Sequence, residues 1–258
     1  MVKEYLTRRE VMGIKKYWEF KNQTDDTADL YLYVEIASWG GGYYAHSAKS
    51  FKQELDNMGD INTLNVYINS PGGDVFEGVA IYNMLKRHKA HVNVHVDGLA
   101  ASIASVIAMA ADTIHMPSNA MMMIHNAWLY TAGNSNDLRE AADMLDKVNT
   151  SIRQSYMQKA GDGISEEDLT KLMDDETWLT AQECLDYGLC DVVESATEIA
   201  ASVNKDMFNR YKNTPEDLLN HTNKSNAADN VKEQEYRKQL IAESKASNEK
   251  LKLYLGGI

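Results

Sequence analysis

Short hydrophobic runs rich in β-branched and aromatic residues alternate along the chain with segments of helical periodicity. The runs predict strands at residues 30–36, 64–69, 91–96, 120–125 and 189–193. Apolar positions spaced three and four apart predict helices over residues 47–58, 75–86, 102–111, 137–160 and 180–187. Because strands and helices alternate, the pattern predicts an α/β fold.

The ends of the chain differ from this body. Residues 1–27 are charged and aromatic without clear periodicity, and Met12 is a second candidate start. Residues 28–198 carry the alternating pattern and are expected to form one domain. Polar residues dominate from 204 to 230 and predict a linker, whereas residues 230–255 are charged and could form a solvated helix or stay disordered. The tail therefore comprises residues 199–258.

Charge and composition exclude several classes of protein. The net charge of −12 argues against binding to nucleic acid, which requires a basic surface. The sequence has no apolar run of the roughly 18–20 residues that a membrane span needs, so we expect a cytoplasmic protein. Cys184 and Cys190 fall in a segment with a buried pattern and are expected to be small core residues.

Two glycine-containing turns are the first candidates for chemistry. Gly72 and Gly73 follow a predicted strand and precede a helix, and Ser102 lies between the next strand and helix. A hydroxyl at a helix start lies near unpaired N–H groups that favour a developing negative charge. The N–H groups of Gly73 and Ile103 could form the oxyanion hole. Taken alone, this local pattern is more typical of a serine that only caps a helix.

A serine nucleophile needs a base, usually a histidine oriented by a carboxylate. His125 closes an apolar strand and opens a loop, so its ring can face a cleft. The other six histidines lie in polar contexts or beside strands, at His46, His88, His91, His95, His115 and His221. Three carboxylates at 174–176 precede an apolar segment, and each of them is a candidate orienting acid.

Five motifs in a fixed order carry a resemblance over residues 30–193. They are YINSPGG at 67–73, GLAAS at 98–102, MIH at 123–125, ETWLTA at 176–181 and LDYGLCD at 185–191. With these motifs the chain resembles the Clp protease proteolytic subunit family, and within it the phage-type head maturation proteases. The resemblance implies a Clp protease/crotonase-like fold of repeated strand–strand–helix units with a protruding long helix.

The resemblance also implies roles for single residues. Ser102 falls on the nucleophile, His125 on the general base and Glu176 on the orienting acid, while Gly73 and Ile103 fall on the oxyanion hole. The family's orienting residue is usually aspartate, so Asp175 stays an alternative. Cellular members commonly carry Gln-Pro after the histidine, where this chain has Asn126 and Ala127.

The predicted function is that of a serine endopeptidase acting through an acyl-enzyme, with phage capsid or scaffold maturation as its role. No cofactor or metal is implied. The resemblance implies polypeptide substrates, a homo-oligomeric ring and an unfoldase as partners, in the cytoplasm of a bacterium or of a phage-infected host. In the family, the helix corresponding to residues 137–160 joins stacked rings; the alternative is that it packs on its own domain. The chain has no Gly-x4-Gly-Lys-[Ser/Thr] loop, so any ATP dependence requires a separate ATPase subunit. Two other functions remain open: a crotonase-like acyl-CoA enzyme and a non-catalytic capsid assembly or scaffolding protein.

Overall fold

The computed structural model describes residues 18–24, 26–33, 35–37, 47–196 and 211–215. The predictions that concern Met12, His46, His221 and the tail helix at 230–255 lie outside these residues. Of the predicted linker at 204–230, only residues 211–215 are described. The compact unit that contains the sheet extends to Pro215.

Eight strands form one mixed sheet. They are β1 (Glu19–Thr24), β2 (Thr27–Tyr33), β3 (Thr63–Ser70), β4 (His91–Ala101), β5 (Thr113–Pro117), β6 (Met121–Ile124), β7 (Thr177–Thr180) and β8 (Val192–Glu194). The order across the sheet is β1-β2-β3-β4-β5-β8, while β6 pairs with the far end of β4 and with β7. The β1–β2 and β6–β7 pairs are antiparallel and the others are parallel. The predicted α/β class is confirmed.

Six α-helices connect these strands in the described part of the chain. They are α1 (Ala48–Asp56), α2 (Val75–Lys86), α3 (Ile103–Ala108), α4 (Ser135–Ala160), α5 (Glu166–Asp174) and α6 (Ala181–Asp186), and a 3-10 turn at Gly161–Gly163 follows α4. Helix α3 is buried along its whole length. Its close packing depends on Gly78 in α2, where an added Cβ would lie 2.1 Å from the Ile103 side chain.

Several predicted element boundaries were wrong. Strand β2 spans Thr27–Tyr33 rather than 30–36, and β8 spans Val192–Glu194 rather than 189–193. The long helix begins at Ser135 rather than at 137, and its cap is Asn134 rather than Asn136. The Asn134 side chain accepts the N–H groups of Asn136 and Asp137, while the Asp137 carboxylate accepts the Asn134 N–H at 2.9 Å. This reciprocal capping box fixes the start two residues earlier than the apolar periodicity indicates. Helix α3 spans only Ile103–Ala108, shorter than the predicted 102–111.

The core is one continuous cluster on the sheet and beneath α3. Cys184 and Cys190 are buried and unpaired, as their sequence context predicted, and burial raises the pKa of Cys190 to about 11. Within the described residues, no helix combines the length and the apolar character that crossing a membrane requires.

Candidate active site

Ser102 occupies the sharp turn between β4 and α3. Its backbone has φ 55° and ψ −130°, a left-handed conformation that non-glycine residues seldom adopt. The turn is held from the neighbouring strand, because the Ser102 N–H donates to the Met123 carbonyl at 2.9 Å. The hydroxyl makes no capping hydrogen bond to α3, so the alternative role as a helix cap is not the one this side chain plays.

A buried hydroxyl network supports this turn from below. The Ser105 hydroxyl lies 2.5 Å from the Ser102 carbonyl and 3.1 Å from the Met123 carbonyl. It also lies 2.7 Å from the Tyr156 hydroxyl of α4. Ser105 and Tyr156 are almost completely buried. The network therefore ties the turn of Ser102 to the strand that carries His125 and to the long helix.

Gly72 and Gly73 form the second turn beside the serine. Ile36 donates its N–H to the Gly72 carbonyl at 2.8 Å and accepts the Asp74 N–H at 2.7 Å. In such a parallel bridge, the N–H of the central residue Gly73 points away from Ile36. Gly73 has φ 147°, and a Cβ there would lie 1.8 Å from the Ile36 carbonyl oxygen. The position therefore requires glycine, and its N–H is directed away from Ile36.

His125 follows directly after β6 and faces Ser102. Its Nε2 lies 2.7 Å from the Ser102 hydroxyl oxygen, within reach for proton transfer. The side chain is 9% exposed, and burial lowers the pKa of His125 to about 4. The imidazole is therefore neutral at pH 7, the form that can accept the serine proton.

The two candidate acids lie at the start of β7 in different surroundings. Asp175 forms an exposed ion pair with Lys171 of α5. Glu176 adopts φ 51°, and its Oε1 accepts the backbone N–H of Asn213 at 2.8 Å. Among the described residues, neither carboxylate hydrogen-bonds to His125. The structure thus brings together Ser102 and His125, with Glu176 engaged elsewhere.

Two residues of the predicted linker reach this site, and the sequence analysis did not find them. The Tyr211 hydroxyl donates to the Pro71 carbonyl. The Tyr211 ring packs edge to face against the His125 ring, with the ring centroids 5.4 Å apart. Asn213 also donates its side-chain amide to the Asp175 carbonyl at 2.7 Å. The sequence around Tyr211 is polar and without periodicity, so it does not predict such a contact.

Three side chains of the kinds that bind metal ions also lie close together, although their spacing in the sequence does not predict this. His95 and His115 lie next to each other on β4 and β5, and His115 Nδ1 is 2.9 Å from Glu194 of β8. The two imidazole rings are stacked, with centroids 4.7 Å apart and planes 16° apart. Because nitrogen lone pairs lie in the ring planes, stacked rings do not converge on one ion at bonding distance.

Comparisons with known proteins show which family this chain resembles. A family model described as Clp protease matches residues 46–197. An ATP-dependent Clp protease proteolytic subunit of Ligilactobacillus salivarius is 36% identical over 140 residues, which cover 53% of this chain and 70% of the relative. The protein of the same name from Deinococcus radiodurans is 32% identical over 146 residues, 55% of this chain and 70% of the relative.

Proposed function

The chain belongs to the Clp protease family, and we propose that it hydrolyses peptide bonds through an acyl-enzyme formed on Ser102. The observation that carries this proposal is the 2.7 Å contact between the Ser102 hydroxyl and His125 Nε2. A neutral imidazole at this distance can take the hydroxyl proton as the oxygen attacks the substrate carbonyl.

In the proposed reaction, His125 acts first as a base and then as an acid. The Ser102 oxygen bonds to the carbonyl carbon, and the oxyanion accepts the N–H groups of Gly73 and Ile103. Such a donor contributes about 2.7–4 kcal/mol in measured cases. The protonated His125 then gives its proton to the leaving amine, and the C–N bond breaks. Water activated by His125 finally releases the acyl group and regenerates the serine.

We propose Glu176 as the acid that orients His125 during this cycle. Its support is the pairing of β6 with β7, in which Ile124 lies opposite Thr177. Extended by one residue, the same register sets Glu176 opposite His125, whereas Asp175 is displaced by a further residue and ion-paired with Lys171. A carboxylate on Nδ1 would hold the imidazole in the reactive tautomer.

The alternatives fit these contacts less well. A crotonase-like acyl-CoA enzyme would use the paired N–H donors but would have no need for a serine in contact with a histidine. A non-catalytic scaffolding protein would have no reason to keep Ser102 at a strained φ of 55°, a conformation that costs free energy and is common at active sites.

Cleavage of an unfolded polypeptide tests the proposed activity. The full-length protein and its Ser102→Ala variant are incubated with reduced, carboxymethylated casein, and new chain termini are identified by mass spectrometry. We expect new termini with the wild type and none with the variant. Equal cleavage by both proteins would refute a role for Ser102.

We further propose that the substrates are selected proteins, such as phage capsid or scaffold proteins. The support is the loop after His125, where Asn126 and Ala127 replace the Gln-Pro of cellular relatives. The Asn126 amide donates to Asp174 at 2.7 Å, and the Ala127 N–H donates to Asn149 at 2.8 Å. In this chain the loop is therefore anchored to the end of α5 and to α4. Rapid cleavage of casein, with purified phage scaffold and capsid proteins left intact, would contradict selective maturation.

Assembly into a homo-oligomeric ring is proposed from the long helix. The second half of α4 packs on its own domain through Ile152, Tyr156 and Ala160, whereas Leu138 and Met144 in the first half are exposed. An exposed apolar stripe favours contact with another copy of the chain. We expect Leu138→Lys to lower the mass measured by analytical ultracentrifugation and Glu140→Lys to leave it unchanged. Any dependence on ATP would come from a separate unfoldase ATPase.

A further inference from the structure

Residues 211–215 lie against the proposed active site and contact it at three points. Tyr211 donates its hydroxyl proton to the carbonyl of Pro71, the residue before the Gly72–Gly73 turn. Its ring packs edge to face against His125 at 5.4 Å and against Trp178 of β7 at 6.0 Å. One side chain of this segment therefore bridges the oxyanion turn and the general base.

Asn213 makes the third contact, which is with the proposed orienting acid Glu176. Its backbone N–H donates to Glu176 Oε1 at 2.8 Å, and its side-chain amide donates to the Asp175 carbonyl at 2.7 Å. A carboxylate oxygen that accepts a backbone N–H gains a charge-assisted hydrogen bond. Glu176 would lose this bond on turning to His125, so the segment holds the acid in its present orientation.

The segment also occupies space that a substrate needs. A scissile carbonyl must lie within about 3 Å of both the serine oxygen and the N–H donors of the oxyanion hole. Ser102 contacts His125, and Gly73 follows two residues after Pro71, so the peptide must approach the same cleft on which Tyr211 packs. Tyr211 and a bound polypeptide therefore compete for one surface.

We propose that residues 211–215 form an autoinhibitory strap that covers His125 and engages Glu176 until a substrate displaces it. The proposal rests on the proposed function of Ser102. Displacement of the strap uncovers the imidazole and frees the Glu176 carboxylate to orient it. The strap thus couples entry of a polypeptide to completion of the catalytic arrangement.

The strap is tested in the full-length protein by the rate at which a fluorophosphonate labels Ser102. Tyr211→Ala removes the ring and its hydroxyl, and Asn213→Pro removes the backbone N–H that binds Glu176. A strap closed about nine-tenths of the time would slow labelling about tenfold, so we expect the double variant to react about tenfold faster than the wild type. Lys212→Ala, at the exposed position between them, is the matched control and should react like the wild type.

Two further measurements separate the strap from nonspecific effects. Tyr211→Phe removes only the bond to Pro71 and should give a smaller gain than Tyr211→Ala. A synthetic peptide with the sequence of residues 208–218, added to the double variant, should slow labelling back toward the wild-type rate. Labelling of the double variant at or below the wild-type rate would overturn the strap. Failure of Ser102 to react in every variant would instead overturn the acyl-enzyme proposal.

Discussion

His125 directly follows, and Glu176 directly precedes, the last residue pair of two antiparallel strands, Ile124 of β6 and Thr177 of β7. If the register continued by one residue, it would set Glu176 opposite His125. This relationship favours Glu176 over Asp175 as the acid that orients His125. In the closed arrangement, however, the Glu176 carboxylate binds Asn213.

The two acids are distinguished by comparing Glu176→Ala with Asp175→Ala. We expect Glu176→Ala to lower kcat for a short peptide by at least about tenfold, because an unoriented imidazole loses its reactive tautomer and the charge that stabilises its protonated form. Asp175→Ala removes only an exposed ion pair with Lys171 and should keep kcat within about twofold of the wild type. The reverse order of effects would assign the orienting role to Asp175.

The burial of His125 predicts an unusual pH dependence. Burial lowers the pKa of His125 from 6.5 to about 4, and only the neutral imidazole accepts the Ser102 proton. The acid limb of kcat/KM, which reports the free enzyme, should therefore have its midpoint near pH 4. A midpoint at pH 6.5 or above would contradict a buried imidazole that has no carboxylate in contact with it.

The same shift predicts a loss of stability in mild acid. The folded protein binds fewer protons at His125 than the unfolded chain between pH 6.5 and pH 4, so the free energy of unfolding falls as the pH falls through this window. From pH 7 to pH 5 the loss is about 2 kcal/mol for this group. The free energy of unfolding is measured by urea unfolding at pH 7 and at pH 5 for the wild type and for His125→Gln. The decrease from pH 7 to pH 5 should be smaller in the variant. An equal pH dependence in both proteins would contradict the prediction.

Gly73 should tolerate no side chain. A Cβ at this position would lie 1.8 Å from the Ile36 carbonyl oxygen, and φ is 147°, so Gly73→Ala must shift the turn that carries the proposed oxyanion donor. We expect loss of at least about a hundredfold in kcat. Gly59→Ala is the control, because Gly59 also has a positive φ but nothing lies within 4 Å of its Cβ position. A fully active Gly73→Ala enzyme would exclude this turn from the site.

The buried Ser105 hydroxyl should matter for both stability and activity. Ser105→Ala leaves the Tyr156 hydroxyl without its 2.7 Å partner in the core, which costs about 1–3 kcal/mol in the free energy of unfolding. The Ser102 turn also loses its support, so kcat should fall. Thr150→Ala removes an exposed hydroxyl bond on α4 and should change stability by less than about 0.5 kcal/mol. Equal unfolding midpoints for the two variants would contradict a structural role for Ser105.

Hydrophobic periodicity predicted most of the fold, and its failures have local causes. Strand β4 continues past Val96 to Ala101, although residues 97–101 are mostly small, because Leu99 pairs with Met121 on β6. Helix α5 was not predicted, since only Leu169 and Met173 are buried on it. Strands β1, β5 and β7 were also not predicted. Strand β1 forms a tight hairpin with β2, whereas β5 and β7 pair with strands that are more distant in sequence.

The order of the motifs paired Ser102 with His125, and the two side chains are in contact in the structure because strand–turn–helix geometry brings strand ends together. The contacts of Glu176 could not be predicted in this way. They depend on Asn213, which lies in a polar stretch without periodicity, and on the positive φ at Glu176. The strap is a tertiary contact whose local sequence resembles an ordinary linker.

The central claim, that Ser102 is a nucleophile activated by His125, is tested most directly by covalent labelling. The full-length protein, Ser102→Ala and His125→Ala are treated with a fluorophosphonate and examined by intact-mass and peptide mass spectrometry. The account predicts one phosphonyl adduct per wild-type chain, mapped to Ser102, and none on either variant. A wild-type protein without an adduct, or His125→Ala labelled at Ser102 as fast as the wild type, would contradict it.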